Sequence, residues 1–311
     1  MNPAFSVVVF TTAAGAGQGL VVALAIALLA GVPMTPSFVR ASLLVAIFLL
    51  VAGLVSSFLH LGRPARAWRA AAMWRTSWLS REVIVLPAFI VVVGLWWLAA
   101  RDPGSAPARL VLPLAAIAGA ALLWYCTAMI YACLRFIEEW AQPLTIVNFV
   151  LLGVSSGSVL ASALAALAGE ERALTLAVWL ALLVTLVAWP SRTAAWRRNA
   201  TLRHRSTLQS ATGIRSARLA QTSMGMSAGS FNTREFFHRA SVSALRRIKG
   251  IAIVLTFALP ALAMAGVAAG VLPGIACVVA FVVQVPGLID DRWLFFAQAK
   301  HPQNLYYQVV S

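Results

Sequence analysis

Residues 37–60 read SFVRASLLVAIFLLVAGLVSSFLH. Between Arg40 and His60 the run carries no charge and no proline. A helix of this length rises roughly 36 Å at 1.5 Å per residue, enough to cross a hydrocarbon layer of about 30 Å. A spanning strand would alternate apolar with polar residues, and this run does not. Only a helix satisfies the backbone of such a segment inside lipid. Working outward, comparable runs occupy 5–31, 82–100, 108–134, 143–168, 172–190, 248–271 and 273–290. The spacing predicts an all-α, polytopic integral membrane protein, an eight-transmembrane-helix bundle forming a single membrane domain over residues 1–311. Of the 311 residues, 61% are hydrophobic and 11% charged, against about 25% charged in ordinary soluble domains. Mean hydropathy is +0.87. This composition excludes a soluble enzyme, a disordered chain and a disulfide-stapled secreted domain. The opening MNPAFSVVVF has no basic n-region, so the first run reads as a retained helix.

Net charge is +15, and the basic residues sit between the apolar runs. Membrane topology and anionic lipid account for that placement better than nucleic acid does. Residues 61–81 hold Arg63, Arg66, Arg69, Arg75 and Arg81 with Trp68, Trp74 and Trp78. Arginine that snorkels and tryptophan that prefers the headgroup layer predict an interfacial segment here. Residues 191–247 form the one long loop, with eleven arginines and a single acid, Glu235. With eight spans, twenty of the 24 basic residues fall on the side that carries both termini. By the positive-inside rule that side is expected to be cytoplasmic, and the 191–247 loop a basic cytoplasmic loop.

Gly15, Gly17 and Gly19 resemble a nucleotide fingerprint only superficially. They precede no strand-to-helix turn, so close helix packing is expected of them and of Ser155-Ser156-Gly157-Ser158. Cys126, Cys133 and Cys277 all lie in apolar runs, with no paired spacing suited to zinc or an iron–sulfur cluster. His60 is the only histidine within a span, which disfavours bis-histidine haem. No metal site, haem or iron–sulfur cluster is therefore expected in this chain.

Ionisable groups at membrane depth are costly and commonly functional. His60 closes the second run and Glu82 opens the third, at either end of the Trp/Arg segment. Singly, each suits a helix terminus. Together, beside an amphipathic lid, they suit a lipid-soluble ring with two carbonyl oxygens, a quinone, whose reduction needs two protons. Gln18 is a further hydrogen-bond partner or a packing residue. Glu138 and Glu139 read as an interfacial charge cluster, and Asp290, Asp291 and Arg292 as a solvated boundary. His204, His238 and His301 lie in loops.

Several stretches resemble a known family. They are PAFSVVVFTTAAGAGQGL (3–20), SSFLHLGRPARAWRA (56–70), WRTSWLSREV (74–83), CTAMIYACLRFIEEW (126–140) and FFAQAKHPQNLYYQ (295–308). Nearly end to end, the sequence resembles the membrane-anchor subunits of the dimethyl sulfoxide reductase type. The resemblance implies a haem-free anchor in a bacterial cytoplasmic membrane. Its partners would be an iron–sulfur electron-transfer subunit with four clusters and a molybdopterin catalytic subunit, with membrane lipids and no nucleic acid. It implies exchange of electrons with quinone (ubiquinone or menaquinone) at His60 and Glu82. Arg63, Arg81 and Trp78, from the adjoining Trp/Arg segment, are expected to shape or close the pocket. Two branches are open: anchors of dimethyl sulfoxide reductases, which oxidise quinol, and anchors of sulfite dehydrogenase, which reduce quinone. The charge bias and the stretch SAGSFNTREFFH (227–238) point to the second. A transporter would need coupling charges at the bilayer midplane, and the strong candidates here stand at span ends.

Overall fold

Proline and hydroxyl caps mark where the chain turns into helix. A computed structural model describes residues 1–59, 61, 63–102, 104–223 and 240–306. Helix α1 covers Phe5–Leu29, and α2, Pro36–Phe58, starts where Thr35 Oγ1 caps the Phe38 N–H at 3.3 Å behind Pro36. A 3-10 segment, Pro64–Met73, leads to α3, Trp78–Ala99, capped by Ser77. A π turn, Pro107–Val111, runs into α4, Leu112–Ala132. Helix α5, Pro143–Ala168, stops at Gly169, whose φ of 70° supplies the left-handed C-cap. Helix α6 spans Glu171–Ala200, and a short α7 covers Leu208–Thr212. Helix α8, Val242–Ile253, continues through a π turn, Val254–Ala258, into α9, Leu259–Ala268. Helix α10, Ala276–Ala297, and a 3-10 turn, Pro302–Tyr306, follow, and there is no strand among the described residues.

Helix α1 is central, packed against α2, α4 and α5. Its glycines do the packing expected of them. A Cβ on Gly19 would run into the Gly153 carbonyl, and one on Gly157 into the Gly19 backbone. Gly17 faces Ala46 and Leu50 of α2 in the same way. Helix pairs in lipid gain contact from such small-residue seams rather than from a hydrophobic driving force.

The α9–α10 pair is joined by a break in the backbone ladder. Pro260 has no N–H to offer the carbonyl four residues back, that of Thr256. Gln284 of α10 makes up the loss, its Nε2 donating to the Thr256 carbonyl at 3.2 Å. The same amide nitrogen lies 3.3 Å from Ser155 Oγ, which in turn pairs with Thr185 at 2.7 Å. Gly287 permits the approach, because a Cβ there would lie 2.6 Å from the Thr256 nitrogen.

Among the described residues, seven helical stretches are long and apolar enough to cross a membrane: α1, α2, α3, Pro107–Ala132, α5, α6 and Val242–Ala268. Helix α10 has the length but carries Asp290, Asp291 and Arg292. Two of the three, Asp291 and Arg292, are not the solvated boundary expected, while Asp290 stays partly exposed. Asp291 and Arg292 are 0% and 4% exposed, and Asp291 Oδ1 takes a hydrogen bond from Arg192 Nε at 2.6 Å. Arg192 Nη2 also donates to the Asp291 carbonyl at 3.2 Å. The pair explains why α6 runs ten residues beyond 190, its expected end, and takes in Arg192 rather than leaving it in a loop. Arg292 lies 4.0 Å from the centre of the Phe149 ring. The connection from α6 to α8 is correspondingly shorter than 191–247.

Candidate functional site

Two contacts fix which helix ends lie together. Ser56 Oγ donates to the Ser6 carbonyl at 2.9 Å, so the end of α2 lies beside the start of α1. The Met1 amine donates to the carbonyls of Ala297 and Ala299 at 3.1 and 3.3 Å, so the end of α10 lies there too. The starts of α3 and α5 and the ends of α4 and α6 belong to this same end. At the other end, the Thr35 N–H donates to Glu170 Oε1 at 3.0 Å.

Glu82 stands one turn into α3 and is 5% exposed. Its one hydrogen-bond partner among the described residues is Thr127 of α4, whose hydroxyl donates to Oε1. Cys126 and Tyr131 of the same helical end lie within electrostatic range of its carboxylate. Around it the α3–α4 contact is aromatic: Trp78 meets Tyr125 edge-on, with centroids 5.3 Å apart. The Arg81 guanidinium lies 4.1 Å from the Trp78 ring centre. Its Nε and Nη2 donate to the carbonyls of Trp74 and Arg75, each at 2.9 Å. One side chain thereby ties the backbone just after the 3-10 segment to α3. That segment presents Trp68, Met73 and Trp74 outward, with Arg63, Arg66, Arg69 and Arg75 exposed among them. A buried carboxyl with a hydroxyl neighbour, next to exposed apolar helix surface, can accept and return a proton to a polar group arriving from lipid.

The structure brings Trp78, Arg81 and Glu82 together with the Arg63 end of the 3-10 segment on the same side of the bundle. Gln18 is elsewhere: it lies halfway along α1, about 20 Å from its start by helical rise, 3% exposed and with Oε1 unpartnered. His60 lies outside the described residues, as do His238 and the stretch 227–238. Its neighbours in sequence, Leu59 and Leu61, are both exposed at the end of α2.

Three polar groups escape a reading of the sequence. Thr127 is indistinguishable in sequence from any helical threonine bonding its own backbone. The Arg192–Asp291 pair joins residues 99 positions apart. Glu139 is buried, 4% exposed, with His204 Nε2 at 3.5 Å from its Oε1. Glu139 forms part of a cavity of about 1080 Å³ between the bundle end and its loops, lined also by Met1, Trp196, His204, Lys249 and His301. Burial pushes the Met1 amine down to about 6, against the pull of Glu139, and also lowers His301.

A bundle of apolar helices with its buried carboxyl at one rim has the form of a membrane anchor rather than of a soluble catalyst. Residues 1–297 match the model of the DMSO reductase anchor subunit family, and the protein belongs to that family. It is 46% identical, over 327 aligned positions covering 100% of both proteins, to the C subunit of sulfite dehydrogenase from Allochromatium vinosum. Two more distant relatives come from Escherichia coli. The YnfH chain of anaerobic dimethyl sulfoxide reductase is 31% identical over 36% of this protein and 39% of its own length. The C chain of anaerobic dimethyl sulfoxide reductase is 30% identical over 38% and 42%.

Proposed function

We propose that this protein is the quinone-reactive membrane anchor of a heterotrimeric molybdopterin oxidoreductase that oxidises sulfite. The observation that carries the reading is the buried Glu82 carboxyl, held by Thr127 at the same bundle end as the close of α2. The end-to-end similarity to the C subunit of sulfite dehydrogenase supports the substrate. Oxidation of sulfite with water to sulfate releases two electrons and two protons. The electrons would reach the rim of this bundle through an iron–sulfur partner, and a quinone there would take two electrons and two protons to become quinol. His60 would hold one quinone oxygen. Glu82 would pass a proton, with Thr127 orienting its carboxyl. Arg81 ties the backbone at Trp74 and Arg75 to α3, and Trp78 and Arg63 would form one wall of the mouth.

The residues fit such a substrate: a proton-exchanging group at the rim, aromatic edges beside it, and open hydrocarbon-facing surface on α3 at Leu79 and Ile84. Helix α10 is read as the eighth crossing. The clasp of Met1 on Ala297 and Ala299 supports an even number, because the first and last helices then begin and end on one side. The Arg192–Asp291 pair neutralises the charge that the crossing would otherwise bury. The bias of basic residues toward this side supports its placement in the cytoplasm of a bacterial cell. The reductase branch, with quinol oxidised, draws support from the two Escherichia coli relatives, but over little more than a third of the sequence.

The test is turnover of the assembled complex with His60→Ala and Glu82→Gln. Each is expected to lower quinone-coupled sulfite oxidation by about 10²-fold or more, in the range of general acid–base catalysis, while sulfite oxidation with a soluble dye acceptor stays near wild type. Unchanged quinone-coupled rates in both variants would place the quinone elsewhere.

A further inference from the structure

The quinone reading does not say how a proton reaches Glu82, whose side chain is buried. Four residues after Thr127 on α4, and so on the same helix face, stands the half-buried Tyr131. Its ring stacks on Phe149 with centroids 5.8 Å apart and meets Trp140 edge-on at 5.2 Å and Phe295 and Phe296 at 5.3 Å. Its hydroxyl lies within electrostatic range of both the Glu82 carboxyl and the Arg292 guanidinium.

From Arg292 the polar contacts continue. Its guanidinium lies over the same Phe149 ring, 4.0 Å from the centre. It is within electrostatic range of Asp291 and Arg192, and these two are joined by the 2.6 Å bond from Arg192 Nε to Asp291 Oδ1. Arg192 in turn lies 5.0 Å from the Trp196 ring centre, and Lys249 Nζ lies 4.9 Å from that centre. Trp196 and Lys249 line the cavity of about 1080 Å³, together with Glu139 and His204. Group by group, these contacts run from Glu82 to the cavity.

A cluster that served only to neutralise buried charge would leave none of it unpaired. Here Asp291 Oδ2 is buried without a partner, and the Arg292 guanidinium, 4% exposed, makes no hydrogen bond among the described residues. Burying such groups unsatisfied is costly, and ordered water is what satisfies them. The cavity is a source of that water, since its lining includes Glu139, whose Oε2 is also without a partner.

We infer that Tyr131 relays protons to Glu82 from water of this cavity, by way of the Arg192–Asp291–Arg292 cluster. The inference rests on the quinone reading. Quinone takes two electrons from the iron–sulfur partner and two protons to become quinol. Glu82 gives one of those protons to a quinone oxygen and is left as a carboxylate. The Tyr131 hydroxyl passes its proton to Glu82 and regains one from water beside Asp291 and Arg292. That water is restored from the cavity, so the net change there is one proton lost. The arginines orient the water through their donors. Tyr131 acts through Glu82 and touches no substrate atom.

The test uses the assembled complex with two variants. Tyr131→Phe keeps the ring contacts and removes the hydroxyl, and Arg192→Met/Asp291→Leu removes the pair's charge while filling its space. Quinone-coupled sulfite oxidation is measured in ordinary and in heavy water, beside sulfite oxidation with a soluble dye acceptor. Each variant is expected to lower the quinone-coupled kcat about tenfold, less than Glu82→Gln does, with KM for quinone unchanged. The solvent isotope effect should rise and the dye rate stay near wild type. A packing defect would move KM or the dye rate and leave the isotope effect alone. Tyr131→Phe with a wild-type kcat, or with a lowered kcat and an unaltered isotope effect, overturns the relay even where Glu82→Gln is slow, and the quinone reading then stands. A wild-type kcat in Arg192→Met/Asp291→Leu overturns the cavity as the source. Should that variant fail to assemble, Tyr131→Phe decides alone. If His60→Ala and Glu82→Gln both turn over as wild type, the quinone reading falls and the relay with it.

Discussion

Glu82 and Thr127 form the smallest unit in this protein to which a role can be tied. A carboxyl in the opening turns of an apolar helix stands out in sequence because the residues that follow it are uncharged. Its hydroxyl partner does not, since the contact is made between helices 45 positions apart. Thr127→Val removes only the hydrogen bond. It is expected to cost quinone-coupled turnover less than Glu82→Gln does, about tenfold or below, and to shift the pH–rate profile, which removal of a mere packing group would leave in place. At the amino terminus, the Met1 amine is held at about 6 instead of its ordinary 8 by burial. The neutral amine is the form the fold prefers. Its contribution to stability is complete above pH 8 and is lost as pH falls through 6. An NMR titration of protein carrying ¹⁵N-labelled methionine, following the Met1 amine directly, should report a midpoint near the lower value. A midpoint near 8 would mean that the amine is free of the clasp.

Helices are readable as runs, but their lengths depend on partners that the runs do not name. Helix α6 continues past 190 because Arg192 finds Asp291, and α8 begins at Val242 because Ser241 caps it, with its Oγ accepting the Ala244 N–H at 3.2 Å. Charges at the end of an apolar run look alike in sequence whether they enter water or a buried pair, which is why sequence alone misplaces Asp291 and Arg192. Breaking the pair with Asp291→Asn is expected to destabilise the assembled protein by about 3–5 kcal/mol, because it leaves a buried guanidinium without its counter-charge. The double change Arg192→Met/Asp291→Leu should be much milder. Thermal unfolding in detergent would compare them, and equal losses would argue against a buried pair. Gln284→Leu withdraws the donor from the Thr256 carbonyl and should cost about 1–3 kcal/mol, the desolvation of one unpaired group. The glycine seam, by contrast, is legible: Gly15, Gly17 and Gly19 in an apolar run have few uses other than close approach.

At the scale of the whole molecule, the all-helical membrane architecture follows from composition, and the family from stretches distributed along nearly the entire sequence. The arrangement of helix ends does not, because it depends on contacts such as Ser56 with Ser6 and Met1 with Ala297. If α10 crosses, single cysteines placed at Asn2 and Gln303 should react with a membrane-impermeant maleimide from the same face, and one at Gly104 from the opposite face. Labelling of positions 2 and 303 from different faces would reduce the crossings to an odd number.

The bond from Gln284 to the carbonyl freed by Pro260 has a consequence for biogenesis. While the polypeptide emerges from the ribosome, the Val242–Ala268 segment reaches the translocon before the residue that completes its ladder has been synthesised. Its Thr256 carbonyl stays wet, or the segment waits, until α10 arrives. If α10 crosses, the final two helices are expected to enter the bilayer as a hairpin, with the amino terminus latching onto Ala297 and Ala299 after that hairpin is in place.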